Sequence, residues 1–197
     1  MSENRKLAAI VFTDIVGFTE LMSQNENSAM QLLDMQRNLL KPIVENYDGE
    51  WLKEIGDGLL ISFPSAVKAV TCSLEIQRVL EHNPKLIIRI GIHIGDIIQK
   101  DGDVFGDGVN IASRLEPLAD PGGICVSERV YDDIRNKPEI NAQFQNEQML
   151  KGIDKPIKVY SIFTKMGTIK DNPTKSKKSS SILILIIIPF IMILSFS

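Results

Sequence analysis

The stretch LAAIVFTDIVGFTEL, residues 7–21, decides how this chain is read. Its apolar run from Leu7 to Phe12 predicts a buried strand that ends at Asp14, and a helical pattern begins at Glu20. A carboxylate therefore stands at the end of a core strand. Beside it runs a turn (Ile15, Val16, Gly17, Phe18, Thr19) that opens a helix. Carboxylate oxygens suit hard cations, and free N–H groups at a helix start accept anionic oxygens. Alone, an Asp at a strand end is more often a turn or cap residue. A second Gly-flanked carboxylate sharpens the reading: Asp57 in KEIGDG, residues 53–58. Asp14 and Asp57 are expected to converge on a metal pair.

Outward from these two turns, residues 26–45 carry Ala29, Leu32, Leu33, Leu39, Leu40, Ile43 and Val44 at helical spacing, with Asn27 or Ser28 as the cap. Residues 50–55 and 59–63 read as a hairpin around Gly56-Asp57-Gly58. Pro64 or Ser65 starts a second helix that Asn83-Pro84 breaks. Residues 86–98, LIIRIGIHIGDII, form the longest strand candidate. Arg89, Gly91, His93 and Gly95 alternate there with Ile88, Ile90, Ile92 and Ile94, so one face is aliphatic and the other bare enough to meet a ligand or another backbone. The turn-rich loop 100–108 leads to a helix over 109–118, a short strand over 124–126, a helix over 128–135 capped by Ser127, a weak strand near Phe144 and a final strand over 156–163. The order β-α-β-β-α-β plus an αβαββ extension predicts an α+β fold. It is an antiparallel, ferredoxin-like βαββαβ core sheet with helices on one face, the other face being left for a partner or substrate.

The length, 197 residues, suits one domain with an appendage. A net charge of −3 and the lack of a basic stripe with interleaved aromatics argue against a nucleic-acid groove. Cys72 and Cys125 have no ligand or redox spacing and read as buried apolar residues in a reducing compartment. No P-loop motif is present. Asp101, Asp103 and Gly106 mimic the start of a calcium loop, but Phe105 fills a ligand position and Ala112 stands where the closing Glu belongs.

In order, FTDIVGFTEL, KEIGDGLLISF, RIGIHIGD, DVFGDGVNIASRLE and LKGIDKPIKVY resemble the motifs of the class III nucleotidyl cyclase catalytic domain, bacterial type, over residues 6–164. The resemblance implies conversion of a nucleoside triphosphate to its 3′,5′-cyclic monophosphate and pyrophosphate by a head-to-tail homodimer. It implies that Asp14, Ile15 and Asp57 hold two divalent ions, Mg²⁺ or Mn²⁺, and that the backbone of Ile15, Val16, Gly17, Phe18 and Thr19 holds the phosphates. Lys53 and Asp103 stand where the family reads the purine, and a Lys–Asp pair suits adenine, so ATP is expected over GTP. Guanylyl members place Glu and a small residue at these two positions. Asn110 would orient the ribose, Arg114 would stabilise charge on the transferring phosphate, and Lys151 would contact the triphosphate. The rivals are a guanylate cyclase, disfavoured by Lys53 and Asp103, and a non-catalytic cyclase-like module, disfavoured by the intact Asp14, Asp57, Asn110 and Arg114.

Three segments are expected: a catalytic domain over 1–167, a Lys- and Ser-rich linker over 168–181, and an apolar run, ILILIIIPFIMILSFS, over 182–197. As a helix the last would span about 24 Å, slightly under a bilayer core. Preceding lysines suit a cytoplasmic flank. The expectation is a single-pass C-terminal transmembrane anchor in the cell membrane with the catalytic domain cytoplasmic; the alternatives are a truncated longer protein and an aggregation-prone, non-membrane tail. The first motif begins within the opening residues, so no upstream sensor domain is expected.

Overall fold

The computed structural model describes residues 4–100 and 103–164, all within one compact unit. The linker and the apolar run at 182–197 lie outside the described residues. No helix among the described residues is long and apolar enough to cross a membrane.

Eight strands form one sheet. β1 (Asn4–Ile15) lies between β3 (Gly58–Phe63) and β4 (Ile88–Lys100), with β2 (Glu50–Ile55) outside β3. This β2-β3-β1-β4 order is the ferredoxin-like arrangement expected from the chain order. The antiparallel register pairs Asp14 with Arg89 and Ile10 with His93, and the two long strands stay in step from Asn4↔Gln99 to Ile15↔Ile88. Beyond β4 come β6 (Ile124–Ser127), β8 (Ile157–Thr164) and β7 (Ile140–Gln148). Two details differ from expectation. β6 runs parallel to β4, because a helical crossover joins them. A short strand, β5 (Asp103–Phe105), folds back on β4 out of what reads as a loop.

The helices are α1 (Phe18–Gln24), α2 (Glu26–Asn46), α3 (Ala66–Leu80), α4 (Asp107–Leu115) and α5 (Glu128–Ile134), with a 3-10 turn at Glu116–Leu118. Asn25, rather than Asn27 or Ser28, caps α2 by accepting from the Ser28 N–H at 3.0 Å. Ser65 caps α3 in the same way, through the Lys68 N–H at 3.3 Å. Ser127 precedes α5 but makes no side-chain cap bond there; its hydroxyl turns to His93 Nδ1 at 2.7 Å.

The larger core joins α2, α3 and α5 to the face of the sheet carrying Ala9, Val11, Ile61, Ile88, Ile90 and Ile92. The helices of the core, α2 and α3, share that face as expected, whereas α4, the first helix of the extension, lies on the other. Ala112 packs with Ala8, Ile10, Leu60 and Ile97 on the opposite face, and Ile111 and Leu115 join Cys125 and Val159 there. The cause is the bare face of β4. A Cβ on Gly91 would lie 2.3 Å from the Ala112 carbonyl oxygen and 2.4 Å from the Glu116 nitrogen, and one on Gly95 would lie 2.5 Å from Gly108 Cα. Of the two occupants the alternation allowed, another backbone took the seat. The face expected to be left for a partner or substrate is therefore partly filled by α4.

Candidate active site

The first cluster forms where β1 ends. Asp57 sits in the β2–β3 turn, which Gly56 allows by adopting φ 62°. The turn folds back on β1: the Ile15 N–H donates to Asp57 Oδ2 at 3.0 Å, and the Leu59 N–H donates to the buried Thr13 hydroxyl at 3.3 Å. Asp14 and Asp57 are thereby neighbours. Burial first, and the Asp14 charge after it, push the Asp57 carboxyl above the usual carboxylate range, while the Ile15 N–H works against both.

Arg89, opposite Asp14 across the β1–β4 ladder, donates from Nη2 to Asp14 Oδ2 at 2.9 Å. Its Nε lies 2.9 Å from Glu116 Oε1, an ion contact whose alignment leaves both atoms without a hydrogen bond. Glu116 is 4% exposed. Burial, with the Asp14 charge adding to it, pushes its carboxyl up to about 7 against the opposing pull of Arg89. Arg89 thus bridges two carboxylates on separate elements, and neither it nor Glu116 belongs to the sequence-derived site. The charge alternation along β4 hinted at Arg89. Nothing local pointed to Glu116. From the other side, buried Gln36 of α2 donates through Nε2 to the Asp57 carbonyl oxygen at 3.1 Å. Its signal was a polar residue on the stripe of Ala29, Leu32, Leu40 and Val44.

The donor set fits a small hard cation. Mg²⁺ commonly takes one or two protein carboxylates and completes its shell with water and substrate phosphate. Asp14 and Asp57 supply the two carboxylates, and among the described residues no cluster of three or more metal-ligating side chains offers an alternative centre. The adjacent turn is narrower as a phosphate cradle than the sequence implied. The Ile15 N–H is held by Asp57, and the Val16 N–H donates to the Ile87 carbonyl at 2.9 Å. Gly17 turns the chain at φ 78°, and the N–H groups of Phe18 and Thr19 open α1, where a helix has no intrahelical acceptor for them.

The second cluster lies elsewhere on the same chain. Lys53 on β2 donates to Asp103 Oδ1 on β5 at 2.9 Å, and this bond is the leading cause of the lowered Asp103 pKa. Leu52 and Val104, next to these groups in sequence, and Val109, next to Asn110, each pack with Phe12 against the cluster of Ala8, Ile10, Leu60, Ile97 and Ala112. One apolar cluster thus underlies β2, β5 and the start of α4. The strand β5 was invisible in the sequence, yet it is what carries Asp103 to Lys53. One helical turn apart on α4, Arg114 donates from Nη1 to the Asn110 carbonyl at 3.3 Å. A Cβ on Gly152 would lie 4.0 Å from Arg114 Nη2, so the turn carrying Lys151 adjoins Arg114. Among the described residues, no hydrogen bond or ion pair joins Asp14 or Asp57 to Lys53, Asp103, Asn110 or Arg114.

Comparisons with known proteins identify the family. The model of the adenylate and guanylate cyclase catalytic domain matches residues 1–164. A Rhizobium meliloti protein named "Putative adenylate cyclase 3" is 36% identical over 168 residues, covering 81% of this chain, and the chain spans 29% of that relative's length. An adenylate/guanylate cyclase/hydrolase from Silicibacter pomeroyi superposes with a TM-score of 0.75 at 36% identity, over 81% of this chain and 98% of that one. The adenylyl cyclase CyaB of P. aeruginosa does so at 0.73 and 28% identity, over 83% and 96%. On its fold, its motif order and these matches, the chain belongs to the family of class III adenylate and guanylate cyclase catalytic domains.

Proposed function

We propose that this chain is an adenylate cyclase that converts ATP to 3′,5′-cyclic AMP and pyrophosphate. The observation that carries the choice of ATP is the Lys53–Asp103 bond at 2.9 Å. An ammonium donor and a carboxylate acceptor, already held side by side, complement adenine: Lys53 donates to ring N1 and Asp103 accepts from the 6-amino group. Guanine offers a donor and an acceptor in the reversed places, so each protein group would meet its like. Leaving desolvated polar groups unpaired discriminates strongly.

In the reaction the 3′-hydroxyl loses its proton, its oxygen bonds to the α-phosphorus, and the bond to the bridging oxygen breaks as pyrophosphate leaves. Asp14, the Ile15 carbonyl and Asp57 are the groups that would hold two divalent ions, which supply charge neutralisation at the attacking and leaving oxygens. Gly17, Phe18 and Thr19 bind the phosphate tail through backbone N–H groups. Asn110 orients the ribose. Arg114 faces the negative charge that grows on the transferring phosphate, and Lys151 on the adjoining turn adds a second cation. Arg89 keeps Asp14 in place while offsetting part of its charge.

In keeping with the finding that no hydrogen bond or ion pair joins Asp14 or Asp57 to Lys53, Asp103, Asn110 or Arg114 among the described residues, the reading is a head-to-tail homodimer in which each site takes Asp14 and Asp57 from one copy and the other four residues from its partner. The apolar run at 182–197 would hold this dimer at the cytoplasmic face of the cell membrane.

The test is to incubate the purified full chain with ATP or GTP and Mg²⁺ or Mn²⁺, and to quantify both cyclic nucleotides. Cyclic AMP is the expected product. Lys53→Glu combined with Asp103→Ser should shift the preference toward GTP. ATP preference that survives the double substitution would remove the base-reading role from this pair.

A further inference from the structure

We infer that Gln36, in the middle of α2, is a positioning residue for Asp57; the inference rests on the proposed metal-binding role of that carboxylate. Gln36 is 2% exposed and lies on the helix stripe that is otherwise Ala29, Leu32, Leu40 and Val44. A buried amide among aliphatic neighbours is unfavourable unless it is bonded. Its Nε2 finds the Asp57 main-chain carbonyl at 3.1 Å. The partner is thus the residue whose carboxylate has to face the metal.

The geometry shows why one bond matters. The Asp57 side chain is held on the strand side by the Ile15 N–H at 3.0 Å, and its main chain is held on the helix side by Gln36. The turn between these anchors has a glycine on either side, Gly56 at φ 62° and Gly58, so it has little rigidity of its own. The next residue, Arg37, grips Glu54 with two bonds, Nε to Oε1 at 2.9 Å and Nη2 to Oε2 at 2.7 Å. Consecutive residues of α2 therefore fix the strand that enters the turn and the turn itself. Arg37 acts from the exposed side on the entering strand. Of these two neighbours, Gln36 is the one that bonds Asp57. Removing its donor leaves the fold intact and lets the Asp57 backbone rotate, which spoils the direction of the carboxylate rather than its presence.

Gln36→Met keeps length and volume in an apolar stripe and deletes the donor. On the full chain, Mn²⁺ binding is titrated by electron paramagnetic resonance in the presence of 3′-deoxy-ATP, which cannot cyclise. Binding of the same nucleotide without metal and thermal unfolding are followed in parallel. The expected result is Mn²⁺ affinity weakened about fivefold, the middle of the range for one net hydrogen bond, with metal-free nucleotide affinity within about twofold of the parent and cooperative unfolding retained. Turnover should recover toward the parent value as Mn²⁺ is raised. Unchanged Mn²⁺ affinity in a folded Gln36→Met protein would overturn the inference. So would an equal loss of metal-free nucleotide binding, which marks general loosening. Asp57→Ala separates the two levels: if it binds Mn²⁺ as the parent does, the metal reading itself has failed and the inference falls with it.

Discussion

Part of the stability that this fold should lose on acidification is traceable to one residue, His93. The imidazole is 8% exposed, and burial, helped by the nearby Arg129 charge, lowers its pKa from 6.5 to about 4. The folded state therefore prefers the neutral ring. At neutral pH both folded and unfolded chains carry it neutral, and nothing is lost. As the pH falls below 6.5 the unfolded chain takes up a proton that the folded chain resists, so the stability present above that value is lost progressively down to about 4. Each unit of separation corresponds to about 1.4 kcal/mol, which puts the loss near pH 4.5 at about 2.5 kcal/mol relative to neutral pH. Other groups titrate over the same range, so the informative quantity is a difference. His93→Gln keeps a polar contact for the Ser127 hydroxyl and removes the titration. Urea unfolding of both proteins at pH 7.5 and pH 4.5 should show the parent losing about 2.5 kcal/mol more than the variant. Parallel losses would refute the reasoning and mean that the ring charges without penalty where it lies.

Three further outcomes are expected. Gly91→Ala puts a methyl group into the Ala112 carbonyl and the Glu116 nitrogen, both backbone atoms that cannot swing aside; it should destabilise the fold by about 1–3 kcal/mol in urea unfolding and lower turnover more than a hundredfold by moving α4. Asp57→Ala should abolish cyclic nucleotide formation while the fold stays cooperative, since the relief of repulsion from Asp14 is set against the Ile15 N–H left without its acceptor; retained turnover would sink the metal assignment. Arg89→Met should cost about 1–2 kcal/mol by removing the cation shared by Asp14 and Glu116, a loss that Glu116 limits by taking up a proton, whereas Glu116→Gln should cost under about 1 kcal/mol at pH 7, where burial already leaves that carboxyl close to half protonated, and denaturant midpoints of the two variants would rank them.

The parts of this structure that were legible in sequence are those written in short-range pattern. Residues 7–21 and 53–63 each contain a complete strand-and-turn statement, and they locate Asp14 and Asp57 without help from the rest of the chain. The alternation of glycine with isoleucine on β4 told correctly that one face would be bare. It could not say what would lie there, since α4 starts more than ten residues later and its seat depends on the crossover to β6. The missed residues share one property. Arg89 meets Asp14 across 75 positions of sequence, and Gln36 meets Asp57 across 21. Such pairs are set by sheet order and helix placement, which no local window encodes. β5 was missed for a related reason: three residues among glycines and aspartates carry no strand signal of their own, and only pairing with Ile98, Gln99 and Lys100 makes them one.

The position of α4 gives these separate observations a common consequence. Its backbone rests directly on Gly91 and Gly95. Its exposed side presents Asn110 and Arg114, and immediately past its end Glu116 is tied through Arg89 to Asp14. One helix therefore connects the Asp14–Asp57 cluster of a chain to the Asn110 and Arg114 of the same chain. In the proposed dimer those two clusters serve different sites. A nucleotide that shifts α4 while engaging Asn110 and Arg114 at one site would pull, through Glu116 and Arg89, on the Asp14 that serves the other. Two identical sites linked by so short a chain of ion contacts need not bind independently, and the linkage runs through groups that do not themselves have to touch substrate.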